Sequence, residues 1–234
     1  SSSSSSSQKD VAVAKPFQKY MIKEQDLSVE AFGPLLPLAE RVDEWTGGWG
    51  LFYADLHPET TTSFAGVAFL LTNLAYAVAG FVLTLQGEIL LGTMTECAGA
   101  VSFWYHYSQL KYSGQEKNVQ VRLALLTDYI FAGSALITGA IYALMIGPLA
   151  LPFNALLSAV GAIFCLTLSW TWEFGLPYII WHSMWHILSA LTGYLIGQAR
   201  IDGTTTSDVL MINTVSQLFL LLPHPLPTGA ELTI

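Results

Sequence analysis

Charged residues are scarce in this sequence: Asp, Glu, Lys and Arg together make up 11% of its 234 residues. Soluble globular domains carry roughly 25% charged residues, and hydrophobic residues here reach 53%. This shortage excludes a disordered chain, a coiled coil and an ordinary soluble domain, and it predicts an integral membrane protein. Basic residues are the scarcer kind, 9 against 17 acidic ones, and the net charge is −8. Nucleic acid is therefore not an expected partner.

Cysteine is almost absent as well. Cys97 and Cys165 both fall inside apolar runs and are expected to be small buried residues. The sequence has no paired-cysteine metal pattern, and its start lacks the charged and then apolar pattern of a signal peptide. We expect a processed chain whose targeting peptide has been removed.

Long apolar segments, in contrast, are plentiful. A bilayer core takes roughly 20 helical residues, and backbone groups in lipid must be paired within the spanning element. We therefore predict an all-α integral membrane protein, a bundle of about five transmembrane helices at 63–86, 89–109, 122–146, 150–168 and 176–198.

Polar regions flank this predicted bundle on both sides. Residues 1–62 form an acidic N-terminal extension that opens with a serine run. The extension has no long periodic segment able to build a core, so we expect it to contact a protein partner. Residues 199–234 form a C-terminal segment with a short apolar helix at 209–222, which we expect at the membrane interface or packed on the bundle.

The basic residues indicate an orientation. With five spans, eight of the nine lie on the side shared by the N-terminus and the 110–121 loop, and only Arg200 lies opposite. The positive-inside rule then places the N-terminus in the cytosol, or in the stroma or matrix of an organelle.

Three histidines lie within the apolar segments, where polar groups are costly and normally face the bundle interior. His106 is near the end of the second segment, and His182 and His186 are near the start of the fifth, spaced i, i+4 on one helix face. The second segment ends on the side where the third and fifth begin, so these histidines and Asp128 should lie in one leaflet. Three imidazoles can hold zinc and leave one position for water, the pattern of a catalytic zinc site.

Two further residues complete the predicted site. We expect Asp128 to orient or deprotonate the water, and Ser102, one turn before His106, to bind the substrate carbonyl or orient Asp128. The residues alone leave other interpretations open. The histidines could be polar contacts between helices, or they could ligate chlorophyll or haem. Asp128 could simply be a polar residue near a helix end, and Ser102 could be a packing residue between helices.

The order of these motifs resembles the CREST superfamily of seven-span membrane proteins, which includes alkaline ceramidases and the progestin and adipoQ receptors. The stretches SFWYH at 102–106, TDY at 127–129 and WHSMWH at 181–186 look most like the myomaker and transmembrane-protein-8 branch. The resemblance implies zinc held by the three histidines, and hydrolysis of a lipid amide or ester. The superfamily has three spans between its aspartate and His-x3-His spans, whereas the 53 residues between Asp128 and His182 hold one.

Two functions follow as hypotheses. The first is a zinc-dependent hydrolase acting on membrane lipid, with His106, His182 and His186 on zinc and Asp128 and Ser102 as catalytic residues. The second is a non-catalytic accessory subunit of a larger membrane complex, such as a plastid thylakoid photosystem supercomplex, anchored through residues 1–62.

Overall fold

The computed structural model of the protein describes residues 27–48, 50–115, 118–147, 150–171 and 175–221, the last 18 of these as helix backbone only. The regular structure of these residues is helical and includes no strand, which confirms the all-α prediction for this part of the chain. The helices are α1 (Val29–Phe32), a 3₁₀ turn (Gly33–Leu35), α2 (Leu36–Thr46), α3 (Phe64–Leu71), α4 (Leu74–Leu85), α5 (Ile89–Lys111), α6 (Val119–Ile146), α7 (Phe153–Thr171) and α8 (Leu176–Leu221).

Three of the predicted membrane segments are helices long and apolar enough to cross a membrane. They are Phe64–Leu85, which contains α3 and α4, and the helices α6 and α7. Helices α5 and α8 occupy the two other predicted segments. Helix α5 is less apolar because its buried face carries polar side chains, among them Ser102, His106 and Gln109. That α5 and α8 also cross the membrane stays a prediction.

The first membrane segment is broken between α3 and α4, where the sequence predicts one continuous helix. The Thr72 hydroxyl donates to the Phe69 carbonyl over 2.6 Å, and the Asn73 amide donates to the Leu70 carbonyl over 3.2 Å. Side chains that bond to nearby carbonyls compete with the helical backbone pattern and bend the helix. The break turns the Thr72 side chain toward α8.

Helices α5 and α8 form the centre of the bundle. Helix α5 packs between α4 and α6, and α8 packs against every helix from α3 to α7. The contact between α4 and α5 requires glycine, because a Cβ atom on Gly80 would lie 2.6 Å from the Gly92 carbonyl oxygen. Small residues of this kind let membrane helices approach closely.

One end of the bundle is closed by an ion pair between a buried Glu88 and a partly exposed Arg200. Glu88, between α4 and α5, is 7% exposed. Its carboxylate accepts hydrogen bonds from Tyr142 of α6 over 2.8 Å and from Arg200 of α8 over 2.7 Å. The Arg200 guanidinium also lies 4.1 Å from the centre of the Tyr142 ring. These contacts join α6 and α8 to the α4–α5 turn.

The described part of the N-terminal extension packs on the bundle. Phe32, Ala39 and Leu51 are almost fully buried in a cluster with Leu126 of α6. The apolar residues of the extension therefore share a core with the membrane helices, which the sequence reasoning did not expect. Residues 1–26, including the serine run, lie outside the described residues, and contact with a protein partner stays a prediction.

Helix α8 is longer than the sequence predicts. It runs without interruption from Leu176 to Leu221, so the predicted short helix at 209–222 is, as far as residue 221, a continuation of the fifth membrane segment. Residue 222 lies outside the described residues. At 1.5 Å per residue, the 46 residues of α8 span about 69 Å, roughly twice the thickness of a bilayer core.

Candidate metal centre

The three predicted histidines meet at the other end of the bundle from Glu88. His106 comes from the last turns of α5, and His182 and His186 from the first turns of α8. Each pair of imidazole rings has its centres 4.9 Å apart. One ligand atom from each ring lies within 4.8 Å of the others, and all three residues are buried. Among the described residues, this is the one group of His, Cys, Asp or Glu placed to hold a metal ion.

Gln109 determines which nitrogen of His106 carries the proton. The Gln109 amide nitrogen donates to the Ala54 carbonyl over 2.7 Å, so its Oε1 atom must be the one facing His106. That oxygen lies 3.0 Å from Nδ1 of His106 and can only accept. His106 therefore carries its proton on Nδ1, and its Nε2 atom presents a lone pair.

The two histidines of α8 are held in the same tautomer. The Thr72 hydroxyl lies 2.8 Å from Nδ1 of His186, and the Ser169 hydroxyl lies 3.2 Å from Nδ1 of His182. Each hydroxyl gives its own proton to a backbone carbonyl, that of Phe69 for Thr72 and that of Leu166 for Ser169. A hydroxyl that has donated its proton can only accept from the imidazole. Both histidines thus carry the proton on Nδ1.

The Nε2 lone pairs of His106 and His186 consequently face each other in a buried site, and a ligand atom of His182 lies within 4.8 Å of both. The Nε2 atoms of His106 and His186 are 3.1 Å apart, but in these tautomers no proton lies between them. Such an arrangement is repulsive unless a cation occupies the centre or one histidine moves its proton to Nε2. Tetrahedral zinc with Zn–N bonds of about 2.0–2.1 Å separates its ligand nitrogens by about 3.4 Å. Outer partners that fix tautomer and ring direction are the usual support of a histidine metal site. The donor set therefore fits a metal ion.

Aromatic rings surround the three histidines. Phe69 stacks on His186 with ring centres 5.6 Å apart and lies 4.5 Å from His106. Tyr178 stacks on His182 at 4.9 Å. His106 and His186 are 0% and 1% exposed, so these rings keep bulk water from the centre and strengthen electrostatic attraction within it.

Asp128 lies near the histidines without joining the ligand group. Its carboxylate interacts electrostatically with Tyr76, Tyr105 and Tyr178 and with the Ser102 hydroxyl. Each of those tyrosines also contacts one of the histidine rings. The Oδ1 atom of Asp128 is buried and has no hydrogen-bond partner among the described residues. A buried carboxylate oxygen without a donor is costly and is available to accept a proton or a ligand group.

Sequence reasoning found the histidines but not their supporting residues. Thr72 and Ser169 contact a histidine from the α3–α4 turn and from α7, which the motifs did not include, and Gln109 lies three residues after His106 on α5, just beyond its motif. In the sequence, only the polar Thr72–Asn73 pair inside an apolar run indicates one of these supporting residues. The catalytic roles predicted for Asp128 and Ser102 stay predictions.

No known protein family, curated protein or solved structure was found to match this chain. The function of the metal centre must therefore be inferred from the residues that form it.

Proposed function

We propose that this protein binds one zinc ion within its membrane domain through His106, His182 and His186. The proposal rests on one observation. The three histidine rings converge, and the Nδ1 atom of each ring already has a neighbouring polar side chain as its hydrogen-bond partner. Neutral imidazoles suit zinc among the abundant divalent metals, and a four-coordinate site with three histidines is a familiar zinc arrangement. The close packing of the three rings favours a single ion over chlorophyll or haem, whose macrocycle needs open space beside the ligand.

We further propose hydrolysis of an amide or ester bond in a membrane lipid. Zinc with three protein ligands keeps one position for water and lowers the pKa of that water to about 7. The unpartnered Oδ1 atom of Asp128 would take the proton from the attacking water. Ser102, beside that carboxylate, would orient Asp128 or donate a hydrogen bond to the substrate carbonyl. The exposed apolar faces of α4, α6 and α7 would bring lipid to the site.

The likeness to the CREST superfamily supports this proposal. Ser102, His106, Asp128, His182 and His186 occur in that order in the sequence, and the ligand atoms of the three histidines lie within 4.8 Å of one another. The proposal includes five membrane-spanning segments, with α5 and α8 added to the three that are apolar enough by themselves. The distribution of basic residues favours a metal centre on the cytosolic side, or on the stromal or matrix side of an organelle.

Metal analysis of the purified protein tests the first step. We expect about one zinc per chain, and loss of zinc in His186→Ala. Thr138→Val is the control, because Thr138 lies in α6 outside the metal-ligating group, and it should keep its zinc. Absence of zinc from the wild-type protein would refute the proposal, as would retention of zinc by His186→Ala.

Hydrolysis of lipid amides and esters in mixed micelles tests the second step. The wild-type protein should release fatty acid, and Asp128→Asn should lose this activity while keeping its zinc, because Asp128 is not a ligand. A zinc-loaded wild-type protein that cleaves neither bond class would refute the enzyme and leave the metal site standing.

A further inference from the structure

A segment of the N-terminal extension covers the metal centre. We define the cap as residues 53–59, between α2 and α3. Leu56 is 0% exposed and Ala54 is 6% exposed. Both pack in a cluster that contains Phe69 and Tyr178, the two residues that stack on the histidine rings. The cap therefore lies one side chain away from the predicted zinc position.

Polar contacts hold the cap to the loop between α5 and α6. The Asp55 carboxylate accepts from the Gly114 backbone N–H over 2.9 Å, and the Ser113 hydroxyl donates to the Glu59 carbonyl over 2.9 Å. The Tyr53 hydroxyl accepts from the Asn118 backbone N–H over 2.9 Å. Burial raises the pKa of Tyr53, so its phenol stays protonated at neutral pH. The Asp55–Gly114 bond is exposed, and the other two are partly buried.

Gln109 connects the cap directly to a metal ligand. It is 1% exposed, so neither end of its amide has water as an alternative partner. One end donates to the Ala54 carbonyl over 2.7 Å, and the other accepts from Nδ1 of His106 over 3.0 Å. If the cap opens, the Gln109 amide loses the Ala54 carbonyl and keeps its contact with the Tyr178 hydroxyl. A phenol can either donate or accept, so this contact does not determine which end of the amide faces His106.

We propose that Gln109 is a positioning residue that couples closure of the cap to zinc binding. This inference rests on the proposed zinc site. A closed cap fixes the Gln109 amide, the amide fixes the His106 tautomer, and His106 then offers its lone pair to zinc. Coupling of this kind is reciprocal, so zinc must stabilise the closed cap to the same extent. Zinc enters and leaves through the cap side, and only when the cap is open.

Two variants of Gln109 separate its hydrogen bond to Ala54 from its hydrogen bond to His106. Gln109→Leu removes both bonds, whereas Gln109→Glu keeps an acceptor for His106 and replaces the donor to Ala54 by a second oxygen. We expect zinc affinity to fall about 10- to 100-fold in Gln109→Leu and to stay within a few-fold of wild type in Gln109→Glu. We also expect a chelator to remove zinc faster from Gln109→Glu than from wild type. If Gln109 had a merely structural role, its substitutions would change zinc affinity and zinc release rate together.

A second pair of variants tests the cap without touching Gln109. Leu56→Ala opens a cavity beneath the cap, and Leu83→Ala opens one near Glu88, at the opposite end; both leucines are 0% exposed. We expect chelator to remove zinc at least about tenfold faster from Leu56→Ala and at the wild-type rate from Leu83→Ala. Hydrogen–deuterium exchange of residues 53–59 should slow when zinc is added to the wild-type protein, and zinc should have little effect on it in Gln109→Glu.

The measurements distinguish failure of this inference from failure of the proposed function. A wild-type protein that binds no zinc refutes both. A protein that binds zinc, but whose cap exchange is insensitive to zinc, refutes the coupling alone. Equal zinc release from Leu56→Ala and Leu83→Ala, or equal loss of affinity in both Gln109 variants, would also overturn it.

Discussion

Replacing Thr72 by Val tests whether the outer hydrogen bonds of the histidines support the metal site. Thr72→Val keeps the shape of the side chain and removes the hydroxyl that lies 2.8 Å from Nδ1 of His186. The metal-bound state needs the His186 proton on Nδ1, where it would then be buried without an acceptor. The metal-free state can avoid this cost, because His186 can move its proton to Nε2, which lies 3.1 Å from Nε2 of His106.

The expected loss of affinity follows from this asymmetry. Leaving a buried N–H unsatisfied costs about 1–3 kcal/mol, and here the cost falls on the zinc-bound state alone. We therefore expect zinc to bind Thr72→Val roughly 5- to 150-fold more weakly than wild type. The measurement is competition between the purified protein and a chromogenic chelator of known zinc affinity. Thr72→Ser retains a hydroxyl and should recover most of the loss.

A control separates this effect from general damage to a helix. Thr138 in α6 donates to the Ser134 carbonyl over 2.8 Å, as Thr72 does to Phe69, but it is outside the metal centre. Thr138→Val should bind zinc like wild type. The reasoning would be refuted if Thr72→Val bound zinc within twofold of wild type, or if Thr72→Ser were as weak as Thr72→Val.

Three further predictions concern packing, the ion pair and the extension. A Cβ atom on Gly80 would meet the backbone of α5 at 2.6 Å, whereas one on Gly139 meets nothing within 4 Å. Gly80→Ala should therefore destabilise the protein by about 1–3 kcal/mol, and Gly139→Ala should not, as measured by thermal unfolding in detergent. Arg200→Ala leaves the Glu88 carboxylate, 7% exposed, without its ion-pair partner and should cost about 1–3 kcal/mol, since Arg200 itself is partly exposed; zinc content should not change. If the protein is an accessory subunit, deletion of residues 1–26 should abolish co-purification with the partner complex and leave zinc content unchanged.

Each of these predictions has a result that would contradict it. Equal melting temperatures for Gly80→Ala and Gly139→Ala would mean that α4 and α5 do not need their close approach. Loss of zinc in Arg200→Ala would mean that the two ends of the bundle are coupled. A chain without residues 1–26 that still co-purifies with its complex would show that the partner binds elsewhere.

The sequence by itself determined the all-α fold, three helices that are long and apolar enough to cross a membrane, and the three histidines. Apolar segment length and helical spacing are local properties, so they can be read without knowing what packs against them. The direction of each segment also follows from the sequence, once the order of the spans is counted. That count placed His106 beside His182 and His186, and the structure brings their ligand atoms within 4.8 Å of one another.

Only the tertiary structure decided how the histidines are oriented and what covers them. Thr72 and His186 are 114 residues apart in the chain, and Gln109 and Ala54 are 55 apart. Contacts at such separations depend on where the α3–α4 break and the cap pack against α5 and α8. No local sequence pattern specifies those positions. The same packing leaves Asp128 outside the ligand group. The three-histidine group could therefore be predicted from residue spacing, but the hydrogen bonds that orient its imidazole rings could be found only in the folded chain.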